Sequence, residues 1–291
     1  MENKKAIFIF LLLGIIWGSN FIYMKLATIY ISELQVVFLR VLFGFIPVLI
    51  YTIYKKTMRI EHFKYAFHFF IMSLLGASVY YYYFVKASSL LLSGITGALS
   101  ASVPLFAFIL AVIFLKDEKL DKRLFGILLG LIGVVLIAKP YELDVFESNI
   151  EGIKAIILGS LVVGSSFVYA KRFISPLKIH FSALTTYQLA FATITLSLFV
   201  DYNGISDITL NLNVLLGTII GLGLLGTGLA FILYYYLIEH LGAVRASSAT
   251  YLPPIVALLI GFFIVGEDID LIDLMGTVLI LFGVYMINRK V

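Results

Sequence analysis

Few residues in this chain could do chemistry, and most of them lie inside apolar runs. Trp17 and Asn20 stand three positions apart in one such run, so they share a face if it is helical. An amide in hydrocarbon must find hydrogen-bond partners, which turns Asn20 toward neighbouring protein. In one reading the pair walls a binding site, with the indole packing a ligand and the amide offering donor and acceptor. In the other, Asn20 ties two helices together and Trp17 fills space. Arg40 is the least expected residue, because a guanidinium inside a spanning helix costs about 2.5–3.5 kcal/mol on the insertion scale. It needs a partner or water, and could hold an anionic group such as a carboxylate or snorkel to the nearby surface. Gln188 occupies a comparable place later in the chain and cannot carry charge.

Two tyrosine runs, Tyr80 to Tyr83 and Tyr234 to Tyr236, suit interfacial belts. Successive residues point around a helix, so at most one or two of each run can face a cavity. Tyr80 and Tyr83 share a face and are the candidates, with Tyr234 as their counterpart. Aromatic walls with a few polar groups suit amphipathic metabolites.

Other chemistries are excluded or unsupported. The chain has no cysteine. Ser19, Ser100 and Ser166 have no histidine in a mid-membrane segment, so nucleophilic catalysis is not expected, and the sequence reads as a non-enzyme. His62, His68 and His180 lack metal-ligand spacing. No metal or other cofactor is expected, and without a Walker phosphate loop no ATP motor is visible. No Asp or Glu lies deep in a span, so strong proton coupling is unsupported and uniport, exchange or weak coupling stay open. Lys25, Lys86 and Lys171 near helix ends are explained by snorkelling or loop contacts. Glu239 and His240 read as solvated mouth residues.

The elements that must position these residues follow from composition. With 62% hydrophobic residues, 13% charged and a mean hydropathy of +1.07, lipid must cover most of the surface. Each long apolar run is read as a helix, since backbone groups in lipid must be satisfied internally. Ten spans result: Ala6 to Ala27, Leu34 to Tyr54, Tyr65 to Val85, Ser93 to Leu115, Leu124 to Ala138, Ile153 to Lys171, Ser182 to Val200, Val214 to Ile238, Ala243 to Val265 and Ile272 to Ile287. The first run continues past signal-peptide length without a small-residue cleavage pattern and is expected to be retained. Alternating the loops puts 16 of the 21 Lys and Arg on one side. That side is expected to be cytoplasmic, with both termini, in a plasma membrane. Acidic residues gather opposite, including Glu142, Asp144, Glu147, Glu151, Glu267, Asp268, Asp270 and Asp273. The net charge of +4 is scattered between apolar runs and gives no nucleic-acid stripe.

Gly18 to Lys25 recurs 146 positions later as Gly164 to Lys171, each ending a long apolar run. The chain therefore reads as an all-α membrane protein of ten transmembrane helices in two five-helix repeats, residues 1–140 and 151–291. Because five is odd, the second repeat enters the membrane inverted. Pro104 to Glu118 and Pro253 to Glu267 share one spacing, which puts Glu118 and Glu267 on opposite faces. Such a repeat permits alternating access. Pro104 and the pair Pro253–Pro254 interrupt the fourth and ninth helices and are candidate hinges. Ser166 is the repeat mate of Asn20 and a further candidate for substrate contact.

These residues resemble the EamA-type members of the drug/metabolite transporter superfamily. The matching features are Trp17-Gly18-Ser19-Asn20-Phe21 with Lys25, Phe38-Leu39-Arg40, Pro104-Leu105 with Asp117-Glu118, and Gly126 with Gly130 to Val134. In the second half they are Leu241-Gly242-Ala243, Pro253-Pro254, Gly266-Glu267 and Gly276 with Gly283-Val284. The resemblance implies ten helices and a central cavity lined by the first, third, fourth, sixth, eighth and ninth. It also implies export or exchange of small metabolites, amino acids among them. Two departures stand out: Val163 replaces Trp17 in the second copy, and the stretch from Lys86 to Pro104 is four residues longer than Glu239 to Pro253. The alternatives are a sugar-phosphate or nucleotide-sugar exchanger, which would want paired basic residues, and a non-transporting accessory or receptor protein. Expected partners are membrane lipids and a small-molecule substrate, with a monomer or homodimer as the assembly.

Overall fold

In the computed structural model, residues 2–115, 123–139, 143–241 and 248–288 are described, and among them every long element is helical. α1 is Glu2–Ala27 and α2 is Glu33–Lys55. α3 covers Ile60–Leu90, with a short π stretch at Leu74–Ser78. α4 is Ser93–Phe114, α5 Arg123–Ala138 and α6 Leu143–Tyr169, the last continuing as a π turn over Ala170–Ile174. α7 is Phe181–Phe199. α8 runs through Leu212–Leu216, a long π stretch at Gly217–Leu229, and Ala230–Leu241. α9 comprises Ser248–Tyr251, Leu252–Leu259 and Ile260–Val265, and α10 is Leu271–Asn288. Six of these helices, α1, α2, α3, α4, α6 and α8, are long and apolar enough to cross a membrane, and α5, α9 and α10 are shorter apolar helices.

Local chemistry sets several ends. Ser32 opens α2 in a reciprocal capping box with Gln35. The same Gln35 donates to the carbonyls of Asp201 and Asn203 at 2.7 and 2.9 Å, fastening the turn after α7 to the start of α2. Asn211 accepts from Asn213 and Val214 at the start of α8, and His180 Nδ1 accepts from Ser182 at the start of α7.

The helices pack in a set of pairs. α1 lies against α8 and α9, and α6 against α3 and α4. α2 lies against α8, and α7 against α3. α2 also meets α7, α4 meets α9 and α5 meets α10. Small residues make these approaches close, as packing in lipid requires. A Cβ on Gly133 would meet the Gly276 carbonyl oxygen, and a Cβ on Gly228 would meet the Pro47 ring.

Several elements differ from expectation. α6 starts at Leu143 rather than Ile153, so much of the polar connection after α5 is helical. Its Asp, Glu, Ser and Asn residues hide the helical period from a search for apolar runs. α3 extends to Leu90 rather than Val85. α4 breaks at Ala101 and Ser102, and Pro104 then sits in the first turn of the helix Val103–Phe114. Pro253 likewise sits in the first turn of Leu252–Leu259, where its missing N–H removes no helix bond. Glu118, Leu241-Gly242-Ala243 as a motif, and Arg245 lie partly or wholly outside the described residues, as do the side chains of Glu142, Asp144, Glu147, Glu239 and His240.

Candidate functional site

Arg40 is 4% exposed and is satisfied by neutral partners drawn from three other helices. Its Nε donates to Thr227 Oγ1 of α8 at 3.1 Å, and Nη1 approaches the Met24 sulfur of α1 at 3.4 Å. In the amide orientation that satisfies both ends of Asn20, its oxygen accepts from Arg40 Nη2 at 3.2 Å and its nitrogen donates to the Ile16 carbonyl at 3.1 Å. The guanidinium carbon lies 3.7 Å from the centre of the Tyr81 ring of α3. A buried cation is costly, and here an amide, a hydroxyl, a thioether and a π face offset that cost. Thr227 passes its own proton to the Leu222 carbonyl at 3.0 Å, a bond five residues back that belongs to the π stretch.

The same device appears in the other half. Gln188 of α7 donates through Nε2 to the Gly76 carbonyl at 2.9 Å, inside the π stretch of α3. Thus α2 and α7 each send one polar side chain into a π segment of the helix beside them. One is charged and enclosed, whereas the other borders open space. A cavity of about 370 Å³ lies beside Gln188, between α3, the end of α6 and α7. A second cavity of about 280 Å³ lies between α3, α4 and α6 and includes Leu110, Ser165 and Tyr169 in its wall.

The residues singled out from sequence fall in four places. Asn20 and Arg40 touch, with Tyr80 one ring away, its centroid 4.2 Å from that of Tyr81. Trp17 and Tyr234 meet one turn along α1, ring centroids 5.6 Å apart. Tyr83 packs with Tyr82 and lies beside Gly159 of α6. Ser166 is buried and donates to the Val163 carbonyl of its own helix at 2.7 Å. The sequence reading missed Tyr81, Thr227 and Met24. It also missed Ser78, whose hydroxyl is buried without a hydrogen-bond partner three residues before Tyr81.

Next to Met24 on α1, at Lys25, a second polar cluster joins the helix ends. Glu267 follows Gly266, whose left-handed φ of 74° turns the chain back so that the Glu267 amide donates to the Gly261 carbonyl at 2.8 Å. The carboxylate accepts from the Ser93 amide and hydroxyl at 2.7 and 2.8 Å and from the Gly94 amide at 2.8 Å, with Lys25 Nζ at 3.6 Å. Lys25 also donates to the Leu91 carbonyl at 2.9 Å. Glu267, which the sequence groups with the acidic segments opposite the basic loops, is thus part of a buried bond network. It ties the end of α9 to the start of α4 and the end of α1. Phe21 and Phe84, with centroids 6.2 Å apart, and a contact of Gly97 with Ala257 close the same end.

Nearby, Lys139 bridges Asp270 at 2.6 Å and the buried Asp273 at 3.2 Å. Burial opposes charge on Lys139, but its bonds to Asp270 and Asp273 win and raise its pKa. Burial likewise opposes charge on Asp270, and the Lys139 bond overcomes it, lowering that pKa. The histidines serve as side-chain partners: His62 Nδ1 lies 3.1 Å from the Tyr187 hydroxyl, and His68 Nδ1 lies 2.7 Å from that of Tyr169. Among the described residues no group of acidic or imidazole side chains could hold a metal ion.

The EamA-like transporter family matches this chain twice, over residues 4–139 and 150–289. An uncharacterized transporter of Archaeoglobus fulgidus is 28% identical over 274 residues, covering 94% of this chain and 95% of the relative. The uncharacterized transporter YdfC of Bacillus subtilis is 27% identical, covering 87% of this chain and 80% of its own. The uncharacterized inner membrane transporter YedA of Escherichia coli is 27% identical over 67% of this chain and 62% of its own. A solved crystal structure superimposes with a TM-score of 0.59 at 19% identity, covering 97% of this chain and 96% of the other, a likeness of fold.

Proposed function

Since the chain belongs to the EamA-like transporter family, we propose that it is a secondary carrier that exports or exchanges small organic metabolites, amino acids among them, by alternating access. The observation that carries this reading is the doubled arrangement of Arg40 and Gln188. Each reaches from α2 or α7 into a π stretch of α8 or α3. The helix pairs double in the same way: α1 on α8 and α9 corresponds to α6 on α3 and α4, and α2 on α8 to α7 on α3. This supports ten crossings in two inverted repeats, 1–140 and 151–291. α1, α2, α8 and α9 then form one rocking unit, and α3, α4, α6 and α7 the other. An inverted pair of units has two near-mirror states, open to opposite sides.

In the state described here, the ties from Glu267 and Lys25 to Ser93, Gly94 and Leu91 join the two units at one end. With the termini in the cytoplasm, as the basic loops favour, that end is the outer one and the protein faces inward. Arg40 binds a substrate carboxylate once its neutral partners part, while Asn20, Tyr80 and the Trp17–Tyr234 pair shape the apolar wall. The junctions just before Pro104 and Pro253–Pro254, where one helical segment gives way to the next, serve as hinges. Tyr83 and Ser166, which lie away from Arg40, act as packing residues. A sugar-phosphate or nucleotide-sugar exchanger would need several converging basic groups, and the partners of Arg40 named above are all neutral. The carrier sits in a plasma membrane as a monomer or homodimer.

Counterflow of labelled amino acids and other small metabolites in proteoliposomes tests the proposal. Saturable exchange by the wild type, lost in a folded Trp17→Ala/Asn20→Ala variant, is the expected result. No exchange of any compound in the panel would refute it.

A further inference from the structure

The cavity between α3, α6 and α7 is lined by residues that differ in size from their counterparts in the first half. In the first half, Met24 of α1 fills the space beside Arg40 and gives its sulfur to the guanidinium. The residue 146 positions later is Ala170, which lines the cavity and leaves the space empty. Arg40 is replaced by the shorter, neutral Gln188. Both differences remove side-chain volume from the second half, on the side where the cavity of about 370 Å³ lies. The walls include Phe69, Met72, Ile174 and Leu184, with Thr185 and Gln188 adding polarity. Gln188 spends its nitrogen on the Gly76 carbonyl, and among the described residues no donor reaches its Oε1. A volume of this size with apolar walls and a few polar groups is typical of a small-molecule site.

We infer that this cavity is a binding site for the carried molecule, distinct from the Arg40 cluster. It would take a metabolite with an apolar aliphatic or aromatic body that presents an N–H or O–H donor, such as an amine, to Gln188 Oε1. This inference rests on the transport reading and adds to it a second contact point, the Gln188 Oε1 acceptor. Its place follows from the comparison of halves, because the position that Met24 occupies in one is vacant at Ala170 in the other. A lipid chain could also enter an apolar space, but it would leave Gln188 Oε1 without a donor.

The test restores the first half's residue. Ala170→Met should fill the cavity and raise the KM for counterflow of an apolar amino acid at least tenfold, with little change in Vmax and an unchanged melting temperature. Ala170→Ser, which keeps the space, should behave as the wild type. Because the chain has no native cysteine, Leu184→Cys gives a direct readout of occupancy. Maleimide labelling there should slow when the transported amino acid is added, and added phospholipid should have no such effect. A wild-type KM in Ala170→Met overturns the site while leaving the carrier intact, as does protection by phospholipid alone. A wild type that exchanges nothing overturns the transport reading and the site with it.

Discussion

The pocket around Arg40 and the pocket around Gln188 are built to one plan and finished differently. In both, a polar side chain crosses into a π stretch of the adjacent helix, where a backbone or hydroxyl acceptor waits. Around Arg40, Met24, Asn20, Tyr81 and Thr227 close on the cation and leave it 4% exposed. Around Gln188, Ala170 is too short to close the space. The difference teaches that a duplicated scaffold need not carry duplicated chemistry. One half keeps the charge and its ligands, while the other keeps volume.

Making the halves alike is the strongest way to break this comparison. Gln188→Arg should be the most damaging change, because a second cation would enter a place where Ser166 and Ala170 stand in for the Asn20 amide and the Met24 sulfur that serve Arg40. The expected loss is about 3 kcal/mol, seen as poor insertion or a large fall in melting temperature in detergent. A variant as stable as the wild type would show that the ligands of Arg40 are dispensable.

The reverse change, Arg40→Gln, removes the cation and leaves Asn20 and Thr227 weaker partners. A stability loss of about 2 kcal/mol is expected, with counterflow of carboxylate-bearing substrates reduced more than that of uncharged ones. Equal reduction of both would assign Arg40 a purely structural role.

Glu267→Gln sharpens the comparison at the closed end. It keeps the side-chain shape but weakens the charge-assisted bonds from Ser93, Gly94 and Lys25, each worth about 1.5–3 kcal/mol. Labelling of a single cysteine introduced at Ala98 should accelerate from the side where Glu267 lies. Unchanged labelling would mean that Phe21, Phe84 and the contact of α4 with α9 hold that end alone.

The smallest effect is expected at Lys139→Gln. The pair with Asp270 is partly exposed and worth about 0.2–1 kcal/mol. Its pH dependence has a definite sign. The lowered Asp270 pKa makes its contribution present above the ordinary carboxylate range and lost as pH falls through the folded value. The raised Lys139 pKa makes its share present at neutral pH and lost as pH rises through the folded value. The difference in melting temperature between variant and wild type should therefore be widest near neutrality and vanish in acid.

Much of the helical framework was legible because apolar runs in a chain of this composition have few alternatives to helices. Asn20 and Arg40 were legible for the same reason, as polar groups that apolar runs make conspicuous. Their mutual contact was not, because sequence does not give the rotation of one helix against another. The choice among Tyr80, Tyr81, Tyr82 and Tyr83 depends on the same rotation, which the π turns at Leu74–Ser78 reset just upstream. Thr227 was hidden by the long π stretch in which it lies. Glu267 looked like one more loop acid, and only the backward turn at Gly266 carries it onto the first amides of α4. The start of α6 was missed because its polar residues face no apolar partner in sequence.

This state is closed around Arg40 and open around Gln188, and the repeat mates Met24 and Ala170 test that difference most directly. Single-cysteine variants Met24→Cys and Ala170→Cys can be labelled in membranes with a small maleimide under identical conditions. Position 170 should react faster by on the order of tenfold or more, a free-energy difference of about 1.4 kcal/mol, and adding Glu267→Gln should narrow the gap by speeding position 24. Equal rates at the two positions in the parent background, or faster reaction at 24, would contradict it.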